Sequence, residues 1–247
     1  MTELLKNRYE HLESLGAGGE GRVVKALDRR HDRLVALKIR QVRNGDAREE
    51  LLSEARILLA ISPHPALPLV REDFFEGDSY VVAMDWVDGV DLATLLAERG
   101  RPGLAASSVL AYLAQAAQAL THLHSQAPPV IHGDVKPANL ILTKGARVKL
   151  VDFGLSSAPD APRRRAGTPG FRAPELAADG APSRASDIYA LTATAFARTT
   201  LEAETLAKVA LLRGPEGARR VLAPLGGAFV HANGRVEVSG RDVEVVA

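Results

Sequence analysis

Apolar positions near the start of the chain alternate with polar ones at the two-residue period of half-buried strands. Residues 9–39 carry short apolar runs around a glycine cluster and a turn near His31-Asp32, which predicts three antiparallel strands. Residues 46–61 change to helical spacing, with Leu51, Ala55, Leu58 and Leu59 on one face, and stop at Ser62-Pro63. Two more strands follow, 67–75 and 80–87, with Glu76-Gly77-Asp78 as the turn between them. From Asp91 onward the period is helical, and a long helix is predicted over 105–124, after Arg101-Pro102-Gly103. Short strand-like pieces at 130–131, 140–142 and 148–151 lie among polar loops, and 186–200 reads as an apolar helix. Five strands with one helix, then mostly helices, predict an α+β chain with a small β-rich lobe and a larger α-rich one.

The last stretch breaks this order. Residues 201–212 predict one more helix. Beyond Gly226, strands at 229–232 and 235–238 flank Asn233-Gly234, a strong hairpin turn, and 243–246 reads as a third strand.

Composition narrows the classes. Basic and acidic residues number 31 and 30, so no whole-chain field argues for nucleic acid as a partner. No cysteine is present, which removes disulfides and thiolate metal sites and suits a reducing cytosol. No apolar run reaches the ~20 residues of a membrane span, so a cytoplasmic, soluble protein is expected.

Candidate chemistry begins at Gly16-Ala17-Gly18-Gly19-Glu20-Gly21-Arg22-Val23, a G-x-G-x-x-G-x-V pattern. A dinucleotide-binding turn would open a helix and place an acid ~20 residues on. Here the pattern continues as strand, and the residue at about that distance is Lys38, of the wrong charge for a ribose hydroxyl. A strand–loop–strand instead suits a flap whose backbone N–H groups approach phosphates. Lys38 lies in Val35-Ala36-Leu37-Lys38, and Glu54 sits on the following helix, facing the same side as Leu51 and Leu58. A Lys38–Glu54 pair would hold an ammonium over α- and β-phosphates. Further on, His132-Gly133-Asp134-Val135-Lys136-Pro137-Ala138-Asn139 is followed by Asp152-Phe153-Gly154. These two segments supply a proton acceptor, a cation and oxygen ligands for Mg²⁺, the set that phosphoryl transfer needs.

On these motifs the chain resembles the eukaryotic-like serine/threonine protein kinases of bacteria. The resemblance runs in order from the glycine loop to Asp187. It implies a bilobal protein-kinase-like fold: a small antiparallel sheet with one helix, a larger helical lobe, and an extra C-terminal β-hairpin or meander. The boundaries expected are 8–87 for the first lobe and hinge, 88–225 for a shortened second lobe, and 226–247 for the β extension. The implied activity is transfer of the ATP γ-phosphoryl to protein Ser or Thr hydroxyls, with ATP and Mg²⁺ as cofactors. The implied role is in signalling, and the implied partner is a protein substrate that the sequence does not identify. An ATP-binding scaffold and a small-molecule phosphotransferase are the alternatives. Asp134 would orient and deprotonate the hydroxyl, Lys136 would stabilise the migrating phosphoryl, and Asn139 and Asp152 would hold Mg²⁺. Gly16, Gly18 and Gly21 would approach the phosphates. Val23, Ala36 and Ile141 would sandwich adenine, the Asp85 carbonyl and Val87 N–H would bond its edge, and Asp91 would meet the ribose. Gly167 to Glu175 resembles the substrate-facing loop, in which Thr168 would join Asp134 and Lys136. Asp187 would cap backbone N–H groups of the catalytic loop.

Two departures stand out. Gly133 occupies the position where most members carry arginine, so a switch through a phosphorylated loop residue is not expected. After residue 200 only about 47 residues remain, in which Arg219 or Arg220 is expected to pair with Glu175. Arg163-Arg164-Arg165 reads as a solvated loop.

Overall fold

The structure, a computed structural model, describes residues 4–18, 21–42, 47–99, 104, 106–152, 167–177, 180–196, 227–230 and 236–239. The chain divides into two compact units, Met1–Asp88 and Gly89–Ala247.

Among its described residues the first unit is a six-stranded antiparallel sheet with one helix. Its strands are β1 (Leu4–Leu5), β2 (Tyr9–Gly18), β3 (Gly21–Asp28), β4 (Arg33–Gln41), β5 (Val70–Glu76) and β6 (Ser79–Asp85). They lie in the order β1-β2-β3-β4-β6-β5, and helix α1 (Ala47–Ala60) connects β4 to β5. Alternation explains the sheet's two faces. Val35, Leu37 and Ile39 of β4 point into a core with Tyr9, Val24, Ala26, Phe74, Val81 and Ala83. Ala36, Lys38 and Arg40 point the other way and stay half-buried. Each fully buried aliphatic side chain contributes about 1.5–3 kcal/mol through removal from water.

A polar network ties the chain start to this sheet. The Arg8 guanidinium grips the buried Asp28 carboxylate through Nε (2.6 Å) and Nη2 (2.7 Å), and its Nη1 reaches Glu72 at 2.6 Å. His31 and Arg33 also meet Asp28, Lys6 pairs with Glu72, and the buried Tyr9 hydroxyl donates to Glu72. The hydrogen bond from Arg8 holds the Asp28 carboxyl well below the usual carboxylate range, against the opposing effect of burial. Burial, with Glu72 next to it, pushes the Tyr9 phenol above its ordinary value.

The second unit holds β7 (Gly89–Asp91), β8 (Leu140–Thr143) and β9 (Val148–Leu150) as a three-stranded antiparallel sheet. Among its described residues the helices are α2 (Leu92–Arg99), α3 (Ala106–His124), α4 (Pro174–Ala177) and α5 (Arg184–Phe196). Leu113, Ala116, Ala117, Leu120 and Leu123 bury one face of α3 at helical spacing. Helix α5 is buried on several sides, with Ser186, Asp187, Tyr189, Leu191 and Ala193 all inside. Gln115 of α3 accepts from the Val148 N–H at 2.9 Å, which fixes β9 against that helix. A hairpin of β10 (Gly227–Val230) and β11 (Val236–Ser239) completes the described elements, and β10 lies against α5 and α3. Among the described residues no helix is long and apolar enough to cross a membrane.

Several sequence expectations need correction. The segment at 130–131 is not a strand, because the Val130 N–H donates to the Leu123 carbonyl (3.0 Å) and ties the segment to the end of α3. Strand β5 starts at Val70 instead of 67, since the Leu67 N–H closes a turn onto His64. Strand β6 ends at Asp85, so Val87 has left the sheet. Strand β7 was not predicted; Val90 at its centre is exposed and gives no periodic signal. The C-terminal hairpin pairs Val230 with Val236, one position off the register that a two-residue Asn233-Gly234 turn would give. Predicted elements at 201–212 and 243–246, the Phe153-Gly154 pair, Arg163-Arg164-Arg165, and the partner of Glu175 at Arg219 or Arg220 lie outside the described residues.

Candidate active site

A single buried carboxylate organises the loop before β8. Asp187, 1% exposed in the first turn of α5, accepts the His132 N–H on Oδ2 (2.9 Å) and the Gly133 N–H on Oδ1 (2.8 Å). His124, in the last turn of α3, also meets Oδ2 at 2.9 Å. The charge is thus spread over two backbone donors and a ring nitrogen, which is how a buried carboxylate is stabilised. His132 is fully buried. Its Nε2 lies 3.0 Å from the Val151 carbonyl, which can only accept, while its Nδ1 receives the Asp134 N–H at 3.3 Å. These partners select the Nε2–H tautomer and make His132 a brace between the loop and β9. Gly133 has φ +82°, a conformation glycine adopts without a Cβ penalty.

Beyond this brace, three side chains and one loop converge. Lys136 Nζ donates to Asp134 Oδ2 (2.7 Å) and to Thr168 Oγ1 (2.8 Å). The Thr168 hydroxyl and backbone N–H both donate to Asp134 Oδ1, at 2.7 and 2.9 Å. Asn139 Nδ2 donates to the Asp134 main-chain carbonyl (2.7 Å) and to Oδ2 (3.3 Å). Each Asp134 oxygen therefore accepts two hydrogen bonds, so the carboxylate is held in one orientation. Beside it stands a hydroxyl already shared with an ammonium. This arrangement can accept a proton from a hydroxyl while a cation stabilises negative charge next to it.

Asn139 closes a 3₁₀ turn, Pro137–Asn139, and its carbonyl accepts the Val151 N–H at 2.9 Å. That bond brings Asp152 beside the loop at the level of the backbone. Asp152 itself has φ +68°, a left-handed conformation that costs a non-glycine residue free energy and recurs at functional positions. Asn139 uses its amide nitrogen within the loop, and its amide oxygen and the Asp152 carboxylate are both of the hard-donor type. Among the described residues no group of three or more His, Cys, Asp or Glu is arranged to hold a metal. Two oxygen donors fit a small divalent cation that completes its shell from phosphates and water.

The first unit carries the other predicted residues. Antiparallel register sets Val23 opposite Lys38 and Lys38 opposite Val82, while Lys25, Ala36 and Met84 pair across the same strands. Val23, Ala36 and Lys38 therefore share one sheet face, opposite the apolar core. Glu54 lies on α1, and its pairing with Lys38 lies outside what is described. Gly16 and Gly18 are on β2, where Gly18 pairs with Gly21 of β3. Gly21 is demanded by the fold: its φ is +118° and a Cβ would sit 2.2 Å from the Ile39 carbonyl oxygen. Gly16 is different, since a Cβ there would meet nothing within 4 Å. Asp85 ends β6, bonded to Arg71 through both carboxylate oxygens (2.7 and 2.9 Å). After it comes Trp86, whose ring lies 4.8 Å from the Lys25 ammonium, and then Val87. In the second unit, Asp91 pairs with Ile141 across β7 and β8. Both Asp91 oxygens take Thr94, from its N–H (2.9 Å) and its hydroxyl (2.7 Å), so Asp91 is the N-cap of α2.

Sequence reasoning gave no role to His124 or Arg172. His124 could have been found from its place eight residues before His132 in the last turn of a predicted helix. Arg172 has no such periodic signal. Its Nε and Nη2 donate to the Gly167 carbonyl at 3.1 and 2.7 Å.

The family model described as the protein kinase domain matches residues 9–206. The serine/threonine-protein kinase PknK of Mycobacterium tuberculosis (strain CDC 1551 / Oshkosh) is 32% identical over 209 residues, 81% of this chain and 18% of that protein. PknA of Mycobacterium tuberculosis (strain ATCC 25177 / H37Ra), also a serine/threonine-protein kinase, is 33% identical over 201 residues, 76% of this chain and 45% of its own length. The mouse serine/threonine-protein kinase Nek1 is 29% identical over 202 residues, 79% of this chain and 16% of that protein. The chain thus spans less than half the length of each of these relatives.

Proposed function

The chain belongs to the protein kinase domain family, which works with ATP and a divalent metal ion, and from that premise we propose that it transfers the γ-phosphoryl group of Mg-ATP to serine or threonine hydroxyls of proteins. The observation that carries this reading is the junction of Asp134, Lys136 and Thr168, three groups within 2.7–2.8 Å of one another. In the proposed reaction Asp134 takes the proton of the substrate hydroxyl. The oxygen so freed forms a bond to the γ-phosphorus, and the bond from that phosphorus to the β,γ-bridging oxygen breaks, releasing ADP. Lys136 offsets the charge that builds on the transferring group. Asn139 and Asp152 are the residues we assign to Mg²⁺, which when bound neutralises phosphate charge. Lys38, with Glu54, is assigned to the α- and β-phosphates. Gly16, Gly18 and Gly21 take the phosphate approach, and Val23, Ala36 and Ile141 the adenine faces. The Asp85 carbonyl and Val87 N–H are assigned to the adenine edge. Asp91, although it caps α2, keeps room on its carboxylate for a ribose hydroxyl. A cytoplasmic signalling role is part of this reading, and a sequence without cysteine suits a reducing cytosol.

The test is direct. Purified protein with Mg²⁺ and γ-labelled ATP is expected to label itself or a generic basic protein. Asp134→Asn removes the proton acceptor and should lower the labelling rate about 10²–10⁴-fold. Equal labelling by that variant would refute the assignment.

A further inference from the structure

The segment 167–172 is tied into a ring whose product is the position of Thr168. The Thr168 carbonyl accepts both the Phe171 N–H (3.1 Å) and the Arg172 N–H (3.0 Å). The Arg172 side chain then turns back, and its Nε and Nη2 both donate to the carbonyl of Gly167, immediately before Thr168. Gly167 has φ +84°, and a Cβ on it would come within 3.4 Å of the Gly133 carbonyl oxygen and 3.5 Å of Arg172 Cβ and Cγ. The ring therefore seats on the backbone of the loop that carries Asp134. It offers the Thr168 N–H and hydroxyl together to a single carboxylate oxygen. Phe171, partly buried, packs with Ala173, Leu176, Tyr189 and Ala193, which anchors the far side of the ring to α5.

Nothing else among the described residues performs the inner closure. Gly133, whose carbonyl oxygen faces Gly167, has no side chain with which to reach across. A fork-shaped cation with two donors on one carbonyl restrains direction as well as distance, which a single-point ammonium does less well. We propose that Arg172 is a positioning residue: by fixing the Gly167 peptide it holds Thr168 against Asp134 and Lys136, and so sets the geometry of the proton acceptor. The inference rests on the kinase reading for its effect on turnover, but its structural half does not.

That division gives the experiment two arms. In the first, hydrogen–deuterium exchange is compared between wild type and Arg172→Met, with no nucleotide. The Thr168 amide should exchange at least about tenfold faster, while the His132 and Gly133 amides, held by Asp187, keep their protection. Unchanged exchange at Thr168 overturns the proposal. So does equal loss at all three amides, which would mean a general structural role. In the second arm, kcat should fall on the order of 10–100-fold in Arg172→Met with KM for ATP unchanged, as expected of a small misplacement at a reacting group. Arg172→Lys should recover part of that loss. In a Thr168→Ala background the same change should cost little more, because the group being positioned is gone. Additive losses in the double variant overturn the proposal. A wild-type protein that transfers no phosphate while the exchange pattern holds counts against the kinase activity and supports the positioning role.

Discussion

Asp28 is fully buried yet stays ionised because Arg8 grips it through two nitrogens and His31 and Arg33 stand beside it. Its pKa is lowered in the folded protein, chiefly by the Arg8 hydrogen bond. An unfolded aspartate titrates near pH ~3.9. The stabilisation is therefore complete above about pH 5 and is lost as the pH falls through and below that value. Denaturant unfolding at pH 7, 5 and 3 should show wild-type stability dropping steeply at pH 3. Asp28→Asn should be less stable at pH 7 and much flatter over this range. Parallel curves for the two proteins would exclude the assigned linkage. Asp187 makes a second prediction at this scale. Its two oxygens receive donors on both sides, so Asp187→Asn turns an NH₂ group toward a backbone N–H or toward His124. A loss of about 1–3 kcal/mol is expected in the same unfolding assay, since a buried donor is left without an acceptor. The labelling rate should fall as well, because His132 and Gly133 lose their anchor.

Strands β2 to β4 hold one glycine that the fold demands and another that it does not. Gly21→Ala places a methyl group 2.2 Å from a carbonyl oxygen at φ +118°, so stability should fall by about 1–3 kcal/mol. Gly16→Ala meets open space, and its stability should stay within about 1 kcal/mol of wild type. If phosphates approach there, KM for ATP rises in the Gly16 variant all the same. A Gly16→Ala protein with unaltered KM would remove that residue from the site. The sequence made these strands readable because one face of each is buried, so period two is enforced residue by residue. Helices α3 and α5 were readable for the matching reason at helical spacing. Features without a periodic cause stayed hidden. The register of β2 against β3 skips Leu12 and Leu15, which stand 47% and 43% exposed, and neither irregularity has a local sequence sign. Strand β7 is three residues long and exists through its pairing with β8, which lies some fifty residues later. Within the site, Asp134, Lys136 and Asn139 were legible because they fall within six residues of one chain segment. Arg172 was not, since its role depends on a carbonyl that the chain returns to only after a turn.

At the scale of the whole molecule, the chain divides into two compact units between Asp88 and Gly89. Binding to the native state alone should raise stability by about 2.7 kcal/mol at a nucleotide concentration a hundredfold above Kd. Thermal unfolding with ATP should show that shift with Mg²⁺ present, and it should shrink when the metal is chelated. Asp152→Ala should make the shift insensitive to the metal; a metal-dependent shift that survives in this variant would remove Asp152 from the cation's shell. The chain also carries its own optical reporter. It has a single tryptophan, Trp86, set between Asp85 and Val87 with the Lys25 ammonium over its ring. Excited at the indole band, the protein emits from that one place. A purine ring arriving beside Val87 should change the intensity or wavelength of that emission, giving a titration curve without label or coupled enzyme. Lys25→Met would alter the starting emission and leave the concentration at half-change nearly where it was.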